Sequence, residues 1–190
     1  WWFLNVTARN DWSSTLPASN RSYFYPGVSS SFIFTDALNL SSNVLSFGKI
    51  RAGVAQVGND AEPYLTANNF LLNQSVGGAG STQFPFNNGF GMVNGSTVND
   101  NRGNPQLKPE LTTEYEIGTE LQFLNGRIGV DFTYYNRTTE NSITEINVPP
   151  SSGSASQVVN IGKVENKGIE LGLNVTPIKL SNGFDWHMFA

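Results

Sequence analysis

The chain has 190 residues, a formal net charge of −4, 14% charged residues and 12% aromatic residues. A mildly acidic chain does not offer the basic patch that a nucleic-acid phosphate backbone requires, so no nucleic-acid partner is expected. The sequence contains no cysteine, which excludes disulfides and thiolate metal sites, and no run of about 18 apolar residues that would predict a transmembrane helix.

Apolar and polar residues alternate with a period of two along most of the chain, which predicts an all-β fold. Because no helical pattern separates the strands, they are expected to pair in antiparallel fashion. The predicted strands are Trp2 to Asn10, Tyr23 to Thr35, Leu45 to Val57, Leu111 to Leu124, Arg127 to Thr138, Val158 to Thr176, and a seventh that begins near Phe184.

The connections between these strands alternate in length. The short ones are Asn125-Gly126 and Pro177 to Gly183, with Asp36 to Val44 of moderate length. The long ones are Asp11 to Ser22, Gly58 to Glu110 and Thr139 to Gln157. Tight turns at one end and long loops at the other are typical of an outer-membrane barrel with periplasmic turns and extracellular loops. Residues 58–110 are therefore predicted to be one long extracellular loop within a single partial barrel domain, residues 1–190.

Both ends of the chain lie inside strand-like runs, residues 1–4 and residues 189–190. We therefore expect the chain to be an excerpt of a longer protein. A complete small domain with frayed terminal strands is the alternative.

The Asn125-Gly126 pair predicts a type I′ hairpin turn. The turn sets Phe123 opposite Ile128 and Leu121 opposite Val130, so one face of the hairpin is apolar and the other is charged. A one-residue slip would exchange the two faces, which is why the register is well specified.

Three features favour lipid over a protein core for the apolar face, although a soluble sandwich also has one apolar face. The predicted strands reach about 12 residues, whereas soluble strands are mostly about 5–6. Aromatic residues end the apolar row, with Tyr115 and Tyr134 at one end and Phe123 at the other, as interfacial girdles do. The charged opposite face suits a water-filled lumen. The sequence thus predicts about seven strands of an antiparallel up-and-down transmembrane β-barrel.

Six ordered segments resemble the barrel of SusC/RagA-type TonB-linked (TonB-dependent) outer-membrane transporters. They are ARNDWSS from Ala8, YFYPGVSSSFIFTD from Tyr23, KIRAGVAQVGND from Lys49, NPQLKPELTTEYEIG from Asn104, RIGVDFTYYNRTTENSI from Arg127 and VVNIGKVENKGIELGLN from Val158. The resemblance covers nearly the whole chain except residues 61–101.

The resemblance implies a 22-stranded barrel in the outer membrane of a Gram-negative cell, closed by a plug domain that this chain lacks. It implies a SusD-like surface lipoprotein as partner, and import of oligosaccharides or peptides driven by the TonB complex acting on the plug. It implies neither a cofactor nor an enzymatic activity. Seven strands leave open sheet edges, so the chain alone is expected neither to insert stably nor to transport.

The predicted lumen face carries the candidate polar residues Glu114, Glu116, Glu120, Asp131, Arg137 and Glu170. Glu120 lies opposite Asp131, and directly opposed like charges destabilise a sheet. This pair is expected either to face a cation, a polar substrate or basic residues of the plug, or to be solvated and balanced by neighbouring charges. Paired carboxylates can hydrolyse glycosides, but no cleft that excludes water is evident, so catalysis is not expected.

Five aromatic residues of the long loop are candidates for contact with a ligand or with the lipoprotein lid: Tyr64, Phe70, Phe84, Phe86 and Phe90. They are equally suited to pinning the loop to the barrel rim. Gly168 marks either a bulge, a close approach by the plug, or a simple bend. The rival reading of the whole chain is a soluble surface β-domain that acts as an adhesin or binding module.

Overall fold

The computed structural model describes residues 1–40, 42–72, 85–181 and 183–190. The described residues form fourteen strands: β1 Trp2–Trp12, β2 Ser22–Ile33, β3 Leu45–Asn59, β4 Phe70–Leu72, β5 Phe86–Asn87, β6 Met92–Val93, β7 Ser96–Val98, β8 Asn101–Arg102, β9 Glu110–Phe123, β10 Ile128–Glu140, β11 Ile143–Asn147, β12 Ser156–Asn160, β13 Lys163–Lys179 and β14 Asp185–Phe189. One short helix, α1 (Phe34–Ala37), and one 3-10 turn, Pro150–Ser152, accompany them. Neither is long and apolar enough to cross a membrane.

Seven long strands make one sheet in the order β1-β2-β3-β9-β10-β13-β14, and every neighbouring pair is antiparallel. This order follows the chain, so the sheet is an up-and-down meander. The all-β antiparallel fold predicted from the sequence is confirmed. The other strands form three small sheets, β11-β12-β8, β4-β7 and β5-β6, within the two longest connections.

The predicted hairpin register is also confirmed, because Phe123 pairs with Ile128 and the ladder continues without a shift to Leu111 and Glu140. Asn125 and Gly126 have φ angles of 56° and 81°. A type I′ turn requires positive φ at both central positions, and Asn-Gly accepts them more readily than most pairs.

The predicted sixth strand, Val158 to Thr176, is two strands in the structure, and the second continues past the predicted end. The structure divides it at Gly162, whose φ of 99° turns the chain between β12 and β13. The two halves belong to different sheets, because β12 pairs with β11 and β8. At the far end β13 continues through Pro177, which lies in a bulge past the last residue paired with β10 and therefore removes no ladder bond there.

Two connections contain structure that the alternation pattern did not predict. Helix α1 lies in the connection after β2, where the Thr35 hydroxyl accepts a hydrogen bond from the Gly48 N–H at 3.1 Å and the Phe34 ring fills the space beside Gly48. The connection predicted between Thr139 and Gln157 begins with the last residues of β10 and contains β11 and the start of β12.

The buried cluster lies among the long loops, at the end of the large sheet. It consists of Leu16, Ala61, Leu107 and Val158, which come from three different connections at the same end of the sheet. Tyr23, Leu65 and Ile143 pack against this cluster. The long loops are therefore folded onto one another.

Candidate functional site

The apolar face of the large sheet is exposed. It contains the odd-numbered residues of β9 and the even-numbered residues of β10, and Tyr115 and Ile117 are 59% and 53% accessible. On β13, Ile169 and Leu171 are 66% and 58% accessible. No second layer of the described residues covers this face. An apolar surface this extensive is not a feature of a monomeric soluble domain.

Two aromatic residues at the short-turn end of the apolar face, on β1 and β9, lie at different levels of the strand ladder. Phe123 ends the row on β9, and Trp2 occupies the corresponding place on β1. Through the ladder, Trp2 lies opposite Phe32, which lies opposite Ile50 and then Thr119. On β9, Phe123 therefore lies four residues, or about 13 Å, beyond Thr119, the position level with Trp2. The three strand spacings between β1 and β9 total about 14 Å. That slope corresponds to a strand tilt of about 43°, within the range of transmembrane barrels.

The polar face is organised around Arg51 of β3. Its Nη1 and Nη2 donate to the two carboxylate oxygens of Asp131 at 2.9 and 2.8 Å, and its Nε donates to Glu116 at 3.3 Å. Nη2 also donates to the hydroxyl of Thr133, which is buried beneath it. A bidentate pair of this kind has the planar geometry that a guanidinium prefers.

Gly118 makes the reach of Arg51 possible. The side chain starts on β3, crosses β9 and ends on β10, and it passes directly over Gly118. A Cβ at Gly118 would lie 2.9 Å from Arg51 Nε and 2.9 Å from the carbonyl oxygen of Phe132. Any other residue there would push the guanidinium off the sheet.

Two further ion pairs flank Arg51 on the same face. Lys49 Nζ lies 2.6 Å from Glu120, and Arg137 Nη2 lies 2.6 Å from Glu114. The Glu170 carboxylate, by contrast, has no partner among the described residues.

Glu120 and Asp131 are directly opposed, as the hairpin register predicts. Each carboxylate has its own cation on β3: Lys49 pairs with Glu120 on the adjacent strand, and Arg51 reaches across β9 to Asp131. The mutual repulsion of the pair is therefore offset inside the sheet. Neither Lys49 nor Arg51 was among the sequence-predicted site residues, because β3 and β9 are separated by a fifty-residue loop that hides their pairing.

Gly168 marks neither a bulge nor a break. It pairs with Tyr135 in a ladder that runs without a shift from Glu140 to Ile128, and the Tyr135 ring fills the space beside it. A Cβ at this position would lie 2.7 Å from the Tyr135 hydroxyl oxygen. The glycine accommodates the ring.

The loop aromatics that the structure describes lie outside the buried loop core. Tyr64 is 80% and Phe90 100% accessible, and Phe70 is also exposed. Phe86 belongs to the β5-β6 pair, and Phe84 lies outside the described residues. The buried side chains of the loop cluster are all aliphatic, and isolated aliphatic residues in a polar loop gave no pattern from which this cluster could be predicted.

The polar face is a solvent-accessible surface of paired charges. Among residues 1–40, 42–72, 85–181 and 183–190, no group of three or more His, Asp or Glu side chains is arranged to hold a metal ion. A shallow groove of about 560 Å³ follows the polar face, between Thr7 and Gly27 on one side and Glu114, Glu116 and Arg137 on the other. Its lining combines small and aliphatic residues with hydroxyls and the Glu114–Arg137 pair.

Comparison with known proteins agrees with this architecture. The family described as TonB dependent receptor-like, beta-barrel matches residues 1–190. TonB-dependent receptor P26 of Formosa agariphila is 30% identical over 189 residues, which are 97% of this chain and 18% of that protein. TonB-dependent receptor SusC of Bacteroides thetaiotaomicron is 29% identical over 191 residues, 98% of this chain and 18% of that protein.

Solved structures give the same result. The RagAB peptide importer in its open-open state matches with a TM-score of 0.77 and 25% identity, over 95% of this chain and 18% of that one. The siderophore receptor PirA from Acinetobacter baumannii shares the fold at 16% identity, with a TM-score of 0.58 over 92% of this chain and 23% of that one. The chain spans less than a fifth of the length of the curated relatives it matches.

Proposed function

Because the chain belongs to the TonB-dependent receptor-like β-barrel family, we propose that it forms part of the wall of an energy-coupled transporter in the outer membrane of a Gram-negative cell. The apolar face meets lipid and the polar face lines the lumen. The parent protein imports oligosaccharides or peptides together with a SusD-like surface lipoprotein, and the TonB complex drives import through the plug.

The observation that carries this proposal is the separation of the two sheet faces. One face is apolar and uncovered in the described part of the chain, and Trp2 and Phe123 at its short-turn end are offset as in a tilted spanning sheet. The other face holds Arg51, Lys49 and Arg137 in ion pairs that water can reach. A wet lumen tolerates such charges, whereas a protein core would impose a large desolvation cost on them. The exposed apolar face argues against the rival soluble adhesin.

Two observations support oligosaccharides or peptides as the substrate class: the names of the similar proteins and the polar groups in the groove. One relative is named SusC and one solved neighbour is a peptide importer. The groove on the polar face offers Thr7, Asn5 and Ser29 beside the Glu114–Arg137 pair. These groups suit neutral, hydroxyl- or amide-rich solutes, which sugars and peptides both are.

Growth of a strain that lacks the parent gene tests the proposal. The strain is supplied with single oligosaccharides or peptides as nutrient, with and without the gene restored. Restored growth on one class, lost again when the energising TonB complex is removed, is the expected result. The proposal would be rejected if strains with and without the gene grew equally on every nutrient. It would also be rejected if growth restored by the gene persisted after the TonB complex was removed. Co-purification of a lipoprotein with the full-length protein tests the partner.

A further inference from the structure

The loops at the long-loop end of the sheet are joined by one segment, residues 104–110, which we call the latch. Its central residue, Leu107, is 0% accessible and packs with Leu16, Ala61 and Val158. Its carbonyl oxygen accepts a hydrogen bond from Asn20 Nδ2 at 2.8 Å. A single buried side chain thus contacts the first long connection, the base of the long loop and β12.

Asn160 joins the latch to the β11–β12 hairpin. Its Oδ1 accepts from the Lys108 N–H at 2.8 Å, and its Nδ2 donates to the carbonyl oxygens of Lys108 and Asn141, each at 2.8 Å. These three hydrogen bonds therefore join the latch to both ends of the hairpin. A side chain held this way has a single orientation.

The hairpin and the long loop share backbone hydrogen bonds as well. Asp100 O accepts from the N–H groups of Ala155 and Ser156 at 2.9 and 3.2 Å, and β12 continues beside β8 as a parallel pair. At the other end of the latch, Glu110 accepts the Ile143 N–H at 2.7 Å. The two loops are therefore connected at three separated points.

We propose that the latch makes these loops a single cooperative unit, so that the β11–β12 hairpin and residues 99–110 of the long loop open together and not separately. Asn160 is the positioning residue that couples them. A ligand or partner that holds either loop would then stabilise the other by the same factor, because coupling between two sites is reciprocal. The coupling holds whatever solute the parent protein transports, so its failure and that of the proposed transport are distinguishable.

Amide hydrogen exchange of the full-length parent protein in lipid nanodiscs tests this coupling. Asn160→Ala removes three hydrogen bonds, and we expect exchange in both residues 141–162 and residues 99–108 to rise by a similar factor of about 10–100. Exchange in β9 and β10 should not change. Asn136→Ala is the matched control, because Asn136 also donates a side-chain hydrogen bond, to Glu165 at 3.1 Å, but joins no loops.

Faster exchange confined to residues 141–162, or no change in either segment, would overturn the proposal, as would an equal rise in the control. Asn160→Asp provides a second test that preserves shape, since it keeps the acceptor for Lys108 and removes both donors. Leu107→Ala should loosen residues 13–21 in addition to the two loops. If it loosens only its own segment, the loops are independent.

Discussion

The most direct test of the lipid-facing assignment is an arginine placed at two depths on β13 and once on its opposite face. The offset between Trp2 and Phe123 amounts to about 1.3 residues per strand, and Thr119 lies midway between Tyr115 and Phe123 on β9. Thr119 pairs with Phe132 on β10, which pairs with Leu171 on β13. A shift of about 1.3 residues for each of these two strands moves the midpoint from Leu171 to a position close to Leu173. Leu171 then lies about 5 Å nearer the extracellular interface than Leu173, given the rise per residue and the tilt.

An arginine at the midplane of a transmembrane barrel costs about 2–4 kcal/mol, and the cost falls to about 0–1 kcal/mol at the interface. We therefore expect Leu173→Arg to lower the free energy of unfolding by about 2–4 kcal/mol and Leu171→Arg by roughly half as much. Asn174→Arg, one residue away on the polar face, should cost less than about 0.5 kcal/mol, as surface substitutions usually do.

The measurement is denaturant unfolding of the full-length protein in phospholipid vesicles, followed by tryptophan fluorescence. We expect the loss of unfolding free energy to be largest for Leu173→Arg, smaller for Leu171→Arg and smallest for Asn174→Arg. This ranking tests the depth and the face of each position together. Equal losses at Leu173 and Asn174 would refute the separation of the faces. A larger loss at Leu171 than at Leu173 would refute the tilt.

Three further outcomes are expected from denaturant unfolding or salt titration of the same protein. Gly118→Ala displaces the Arg51 guanidinium and should lower the free energy of unfolding by about 1–3 kcal/mol. Gly129→Ala is the control: an added Cβ there lies 3.5 Å from its nearest neighbour, and the loss should be under about 1 kcal/mol. Equal losses would contradict the crossing of Arg51 over Gly118. Gly126→Ala forces a side chain into a φ of 81° and should cost about 1–2 kcal/mol, and a neutral result would exclude the type I′ geometry. Asp131→Asn should make stability less sensitive to added salt, because it removes a charge-assisted pair, while Glu170→Gln, which has no partner in the described part of the chain, should leave that sensitivity unchanged.

The features that could be predicted from the sequence are those encoded within a short stretch. The Asn125-Gly126 turn fixes its own hairpin, because the turn geometry and the two alternating faces agree on one register. The antiparallel pairing followed from the absence of helical patterns between strands. These are local signals, and the structure confirms both.

The features that could not be predicted depend on pairing across long gaps. Arg51 meets Asp131 only because β3 pairs with β9 across the long loop, and nothing in either segment alone indicates that partner. The loop core depends on Leu107, a lone leucine among polar residues that has no periodic neighbours. Gly162 separates two strands. Because strand-like residues lie on both sides of it, the period-two pattern predicted one continuous strand.

The offset between Trp2 and Phe123 has a geometric consequence for a closed ring. Because the membrane level advances about four residues for every three strands, a ring of about 22 strands, as the family resemblance implies, accumulates a stagger of roughly 29 residues before it returns to its starting strand. In such a ring each strand would be displaced along its own axis by about 1.3 residues relative to the strand before it. An insertion of two residues inside a spanning strand would shift part of that strand against both neighbours, whereas the same insertion in a loop would leave the ladder unchanged.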